Sequence, residues 1–182
     1  MSEIFLEEGC PREGGERSER EMAVYDLLDR LHIPYLRADH APAFTMAACE
    51  EIDRAFAPAA ICKNLFLCNA GKTAFYLLMM PGDKKFRTKD LSAAIGSARL
   101  SFAPEEHLFR LLSLTPGSVS VMGLMNDHER AVSLLVDEEV ADAPDVVCHP
   151  CVNTSSIRLR TADLFSVFLP AVGHTYRRVH LP

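Results

Sequence analysis

Two apolar, β-compatible runs, Ala60 to Cys68 and Thr73 to Met80, are separated by the short polar segment Asn69-Ala70-Gly71-Lys72. A glycine-containing linker of this length between two such runs predicts an antiparallel hairpin, because the chain can reverse there without a crossover. Further strands are expected at Arg99 to Phe102, Ser118 to Met122, Ala131 to Val136, Val146 to His149, Ile157 to Leu159 and Thr175 to His180, with a turn at Asn126-Asp127. Tight turns separate several of them, so the sheet is expected to be mixed or largely antiparallel.

Helical spacing is clearest before the hairpin. Met22, Tyr25, Leu28 and Leu31 recur at helical intervals behind a Ser18 cap with Glu21 three residues on, which predicts a helix from Ser18 to Leu31. His32-Ile33-Pro34 ends it, and Tyr35 to His40 reads as a short strand before a second helix at Met46 to Phe56. Later helices are expected at Leu91 to Ile95, closed by Gly96, and at Pro104 to Ser113. A last helix capped by Thr161 carries Leu164, Phe165, Phe168 and Leu169 on one face and ends near Gly173. The fold class is therefore α+β, in one domain over residues 18–182, behind a loose leader at residues 1–17 rich in glycine and charge.

No stretch approaches the roughly 18 apolar residues that span a bilayer, and the amino terminus has neither the basic start nor the apolar run of a secretory signal. A soluble, cytoplasmic protein with no membrane partner is expected, its six cysteines reduced. The net charge of −6 argues against a broad phosphate-gripping surface. It leaves room for a local basic patch, and Lys84, Lys85, Arg87 and Lys89 are close enough in sequence to form one.

No phosphate-cradling glycine loop, Gly-x-Ser-x-Gly elbow or His-Glu-x-x-His zinc helix is present. Cys148-His149-Pro150-Cys151 has Cys-x-x-Cys spacing, but a single pair is half of an ordinary zinc site, and neither metal nor resident cofactor is expected. Lys63 interrupts the apolar run Ala59 to Leu67, and strand alternation places it on the face of Ile61, Leu65 and Leu67. It is either an edge lysine whose stem reaches solvent or a cation set at a pocket floor for an anionic or ester-bearing ligand. His149-Pro150 with Asn153-Thr154, and Thr115-Pro116-Gly117-Ser118, are turns that could also border a cleft.

Taken together, Lys63-Asn64-Leu65-Phe66-Leu67, then Leu114 to Ser120 with Gly123 to Asp127, then His149-Pro150 with Asn153-Thr154, occur in the order seen in prolyl-tRNA editing proteins. From about Ser18 to the carboxyl end, including Gly173-His174, the chain resembles the YbaK/ProX superfamily, and within it the branch that clears alanine from tRNA for proline. The resemblance implies an α/β editing fold with a central, largely antiparallel sheet and a pocket for the aminoacylated 3′ end of tRNA(Pro). It also implies ester hydrolysis in the service of translation fidelity, with prolyl-tRNA synthetase as a further partner. It ties activity to Lys63, sets Asn64 and His149 beside the same pocket, and gives Gly117, Ser118, Val119, Asn153 and Thr154 to substrate binding. This chain departs from the family in carrying Val121-Met122 where Pro-Phe is common after the Gly-Ser-Val segment. Three alternatives stand beside this reading: a non-catalytic tRNA-binding or regulatory module of the same fold, an editor of cysteinyl-tRNA(Pro), and a metal-binding protein built around Cys148 and Cys151.

Overall fold

The computed structural model describes residues 4–11, 16–42, 46–59 and 61–182. Helix α1 (Glu19–Arg30) begins where the sequence places it: the Ser18 hydroxyl accepts from the Glu21 amide at 3.3 Å, and Val24, Tyr25 and Leu28 are buried. Strand β2 (Tyr35–Asp39) and helix α2 (Met46–Phe56) follow. The hairpin is β3 (Cys62–Asn69) paired antiparallel with β4 (Phe75–Pro81), and the Asn69 side chain closes its turn by accepting from the Thr73 and Ala74 amides. Ala60, the expected start of that run, lies outside the described residues. Helix α3 (Thr88–Ile95) ends on Gly96 in the left-handed region, and β5 (Leu100–Phe102) and α4 (Glu105–Leu112) come next.

The expected strand at Ser118 to Met122 does not form. Val121–Asn126 is a 3₁₀ helix instead, its first turn capped by the Ser120 hydroxyl, which accepts from the Met122 amide at 3.1 Å. The Val121 amide is taken by the Asn64 side chain at 3.1 Å, a partner that no reading of the local sequence supplies. Beyond it lie β6 (Val132–Asp137), a short helix α5 (Glu138–Asp142) that the hydrophobic pattern does not announce, β7 (Asp145–Cys148) and β8 (Ser155–Arg160). The last helix runs through Thr161–Asp163, a π-helical turn Leu164–Phe168 and Leu169–Ala171 before β9 (Tyr176–Val179). Thr161 does not cap it: Arg160 holds the cap position, and the buried Thr161 hydroxyl has no partner among the described residues.

The leader also differs in part. Glu7–Glu8 forms a strand, β1, antiparallel to β2, while residues 1–3 and 12–15 lie outside the described residues. The reason is a charge: Arg37 is 2% exposed on β2 and is ion-paired with Glu7 and Asp39. A buried guanidinium needs carboxylates, and one of them comes from the leader.

The strands form a four-stranded sheet in the order β1-β2-β8-β7, all antiparallel, and a five-stranded sheet in the order β5-β3-β4-β6-β9. In the second sheet β3 is antiparallel to β4 and β5, while β6 is parallel to β4 and β9, so the fold is antiparallel-rich α+β. The parallel pairings are made by two long crossovers, Gly82 to Ala131 and Glu138 to Thr175. The main core lies between the sheets and draws on both, with Tyr35, Phe66, Leu77, Leu134, Val146 and Ile157 among its members. The second face of the larger sheet is covered by α3 through Leu91, and the second face of the smaller one by α2 through Ile52 and Phe56. An isolated parallel bridge from Ile61 to Val147 brings the start of β3 against β7.

Candidate functional site

Along the edge of β3 that faces away from β4, β5 pairs with Leu67 to Asn69, the Phe66 carbonyl accepts from Ala103, and Ile61 bridges to β7. Between these contacts Lys63 to Leu65 have no strand partner on that edge among the described residues. Because side chains alternate across a strand, Lys63 and Asn64 flank this gap on opposite faces of the sheet. Lys63 shares its face with Leu65 and Leu67, as its position in the sequence implies; its Nζ donates to the Lys84 carbonyl at 2.7 Å and stays half-buried. Asn64 shares its face with Cys62 and Phe66 and turns toward the main core, where its Oδ1 accepts from Val121.

The other expected site residues gather on the Asn64 side. Ser120 precedes the 3₁₀ helix and its hydroxyl donates to the His149 carbonyl at 2.5 Å, tying the loop before Val121 to the loop after β7. In the first loop Gly117 is exposed with φ +86, a conformation that favours glycine, and the Asn153 Nδ2 lies 3.7 Å from where a Cβ on Gly117 would stand. Asn153 and Gly117 thus face each other across the two loops. Ser118 does not: its hydroxyl donates to the Thr115 carbonyl at 2.8 Å and the residue is buried within its own turn. Val119 is half-buried against the main core, and the exposed Thr154 contributes its carbonyl, which accepts from the His40 amide at 3.0 Å. Val121 and Met122, the departure from the family pattern, are fully buried and act on the packing behind the loops.

His149 carries the chemistry of this cluster. Its Nδ1 lies 3.0 Å from the Ser155 carbonyl, and since a carbonyl only accepts, Nδ1 bears the proton and Nε2 keeps its lone pair. Burial pushes the imidazole below the ordinary histidine range; the Ser155 carbonyl opposes that shift and the neighbouring His40 adds to it. The site therefore presents a neutral, half-buried imidazole on a loop tied through Ser120 to the loop of the exposed Gly117, and the imidazole can accept a proton from water or hold a hydroxyl. His40 escapes the sequence reading, although it precedes Ala41-Pro42 much as His149 precedes Pro150. Its ring stands 6.2 Å from that of His149, and both of its nitrogens are engaged, Nδ1 with the Ala41 carbonyl and Nε2 with the Ser156 hydroxyl, each at 2.9 Å.

Cys148 and Cys151 flank His149 but are packed into the core; burial pushes Cys151 up to about 12 and Cys148 higher still. Such thiols carry little thiolate at neutral pH. Three cavities of about 420, 460 and 350 Å³ are lined by other residues, and none includes Gly117, His149 or Asn153. Of the basic patch, Lys84 is drawn into ion pairs with Asp137 and Glu139, and Arg87 pairs with Asp90 while remaining exposed. Among the described residues no helix is long and apolar enough to cross a membrane.

The family model for the aminoacyl-tRNA editing domain matches residues 40–167, a span that begins at His40 and contains every residue of the cluster. The chain is 36% identical over 159 residues to the prolyl-tRNA editing protein ProX of Acetoanaerobium sticklandii, covering 87% of this chain and 96% of that protein. It is 29% identical over 154 residues to the prolyl-tRNA synthetase associated domain-containing protein 1 of Danio rerio, covering 82% and 81%. Among solved structures, a candidate trans-editing enzyme for prolyl tRNA synthetase superposes with a TM-score of 0.66 at 16% identity, over 92% of this chain and all of that one, which shows a shared fold. The chain belongs to the aminoacyl-tRNA editing domain family.

Proposed function

We propose that this editing domain acts in trans on mischarged tRNA(Pro), hydrolysing the ester between alanine and the terminal ribose. That it is an aminoacyl-tRNA hydrolase follows from its family. The observation that carries the finer reading is the cluster itself: a neutral His149 whose Nε2 keeps its lone pair, on a loop that Ser120 ties to the loop where the open backbone of Gly117 meets the Asn153 carboxamide. An aminoacyl ester is already activated, so hydrolysis calls for placement and charge stabilisation more than for a strong nucleophile. In this scheme His149 Nε2 takes a proton from water as the water oxygen attacks the ester carbonyl carbon. The carbon–oxygen bond to the ribose then breaks and the proton passes to the ribose oxygen, leaving free amino acid and tRNA.

Backbone groups at Gly117 and the Asn153 amide hold the aminoacyl moiety, Val119 borders it, and Asn64 keeps the 3₁₀ helix and its leading loop in place. Ser118 and Thr154 support the two loops through their backbone and turn contacts. Lys63 uses one of its three donors on Lys84, leaving two for the terminal phosphate at the gap in β3. Alanine is favoured because Lys63 to Leu67 resembles the alanine branch, and the correct proline ester is excluded by size and shape, as in a second sieve. Prolyl-tRNA synthetase is the partner that would supply the substrate.

The test is a deacylation panel with alanine, cysteine, serine and proline esters on one tRNA(Pro). The alanine ester should be cleaved fastest and the proline ester spared. His149→Ala should slow the alanine reaction by about a hundredfold, and Lys63→Ala should also slow it. Variants that match the wild-type rate would remove those residues from the mechanism, and preferred cleavage of the cysteine ester would reassign the substrate.

A further inference from the structure

The sheet edge beside the gap carries an aromatic pair that the proposed chemistry does not use. Phe102, on the edge strand β5, is 60% exposed, and its ring meets Phe86 edge-on with centroids 5.9 Å apart. Phe86 is half-buried against Leu91 and its neighbours, which fixes the pair to the frame of the sheet. Lys85 and Arg87 flank Phe86 in sequence, and Lys85, Arg87, Lys89 and Arg99 are all exposed. Four exposed cations within four residues of Phe86 or Phe102 in sequence are notable in a chain whose net charge is −6. Arg87 is hydrogen-bonded to Asp90, yet its side chain remains 71% exposed.

Position links this patch to the site. Phe102 pairs in register with Leu67, and the next residue, Ala103, donates to the Phe66 carbonyl, which is where the unpaired stretch of β3 begins. Lys63 lies on the same face as Phe102 and is bonded to the carbonyl of Lys84, two residues before Phe86. An exposed aromatic ring and a row of cations, continuous with the gap that Lys63 and Asn64 flank, have the composition of a surface for single-stranded nucleic acid: rings stack on bases and cations follow the phosphates. A protein partner would gain from Phe102 but not from so many solvated cations, since charge is depleted at the centre of protein interfaces.

We propose that Phe102, backed by Phe86 and bordered by Lys85, Arg87, Lys89 and Arg99, is a stacking platform for an unpaired base in the 3′ tail of the RNA. It would guide the tail across the open edge of β3 toward His149. The proposal rests on the deacylase reading and adds to it the surface that receives the nucleotides before the ester.

The experiment measures binding of an uncharged acceptor-stem RNA hairpin bearing a single-stranded 3′ tail, and of the same hairpin made blunt-ended, by fluorescence anisotropy at fixed salt. Phe102→Ala should weaken binding of the tailed hairpin about tenfold and leave the blunt one unchanged, and Phe102→Trp should restore it. Far-UV circular dichroism of the variants confirms that this exposed change leaves the fold intact. Wild-type affinity in Phe102→Ala overturns the proposal, as does a failure of the wild type to prefer the tailed hairpin. A concentration-dependent dimer that Phe102→Ala dissolves would assign the surface to a second copy of the chain and overturn it equally. Because the RNA is uncharged, binding is read independently of catalysis: deacylation by the wild type alongside unchanged affinity in the variant sinks the platform alone, whereas no deacylation sinks the enzyme reading.

Discussion

His149 shows how a single residue type acquires a role from its surroundings. Its Nδ1 is committed to the Ser155 carbonyl, and burial together with His40 disfavours the imidazolium, so the lone pair on Nε2 persists to lower pH than in an exposed histidine. The sign follows directly: protonation removes the lone pair, so deacylation should fall as pH drops, with the midpoint of the fall below the ordinary histidine value of about 6.5. His40→Gln removes one of the influences that lower the pKa and should move this acid limb to higher pH. A pH–rate profile of both proteins checks the prediction, and an acid-limb midpoint at or above about pH 6.5 in the wild type would contradict it. At this scale the sequence was informative about which residues are unusual. Lys63 stands out because it breaks an apolar run, and its face is given by alternation. That Ser118 spends its hydroxyl inside its own turn, and that His40 stands against His149, depends on distances that a linear reading does not contain.

Elements were legible where their signals are local. The Ser18 cap, the Gly96 stop and the Asn69–Thr73 turn each depend on atoms within a few residues, and each forms where the sequence predicts. Two of the departures involve a partner distant in sequence. The Ser118 to Met122 strand gives way to a 3₁₀ helix because Asn64 and Ser120 take its amides, and Glu7–Glu8 pairs with β2 because Arg37 is buried there. Asp127 shows how such distant ties hold an element. Its carboxylate accepts from the Ala131 and Val132 amides at 3.0 and 2.9 Å, and lies 3.4 Å from the buried His174 Nε2. It thus anchors the start of β6 to the turn before β9. Asp127→Ala leaves the buried Val132 amide without its acceptor, removes the Ala131 bond, and leaves His174 with only the Asp127 backbone carbonyl, and should cost about 3 kcal/mol, read as a fall in the urea midpoint with an unchanged slope. A loss below about 0.5 kcal/mol would show that water replaces the carboxylate.

For the whole molecule, the main core belongs to neither sheet alone. Strands β3, β4 and β6 of one sheet and β2, β7 and β8 of the other contribute to one buried cluster, and the Ile61–Val147 bridge joins them at the edge. Neither sheet can lose its partner and keep its inner face covered, so unfolding should be a single transition. The chain has no tryptophan, and Tyr25 and Tyr35 stack in this core at 5.7 Å, so near-UV dichroism reports on it. Near-UV and far-UV curves against urea should coincide; a separated near-UV transition would mean that the sheets come apart first.

The sequence by itself determined the α+β class and most of the strands and helices, and marked Lys63 as a cation in an apolar run, because periodicity, caps and turn residues act over a handful of positions. The tertiary structure decided which sheet each strand joins, which face of β3 meets the histidine, and how the loops at residues 117 and 153 come to face each other. Those outcomes depend on two long crossovers and on hydrogen bonds such as Asn64 to Val121, 57 residues apart. Their geometry exists only once both sheets have closed on the core they share.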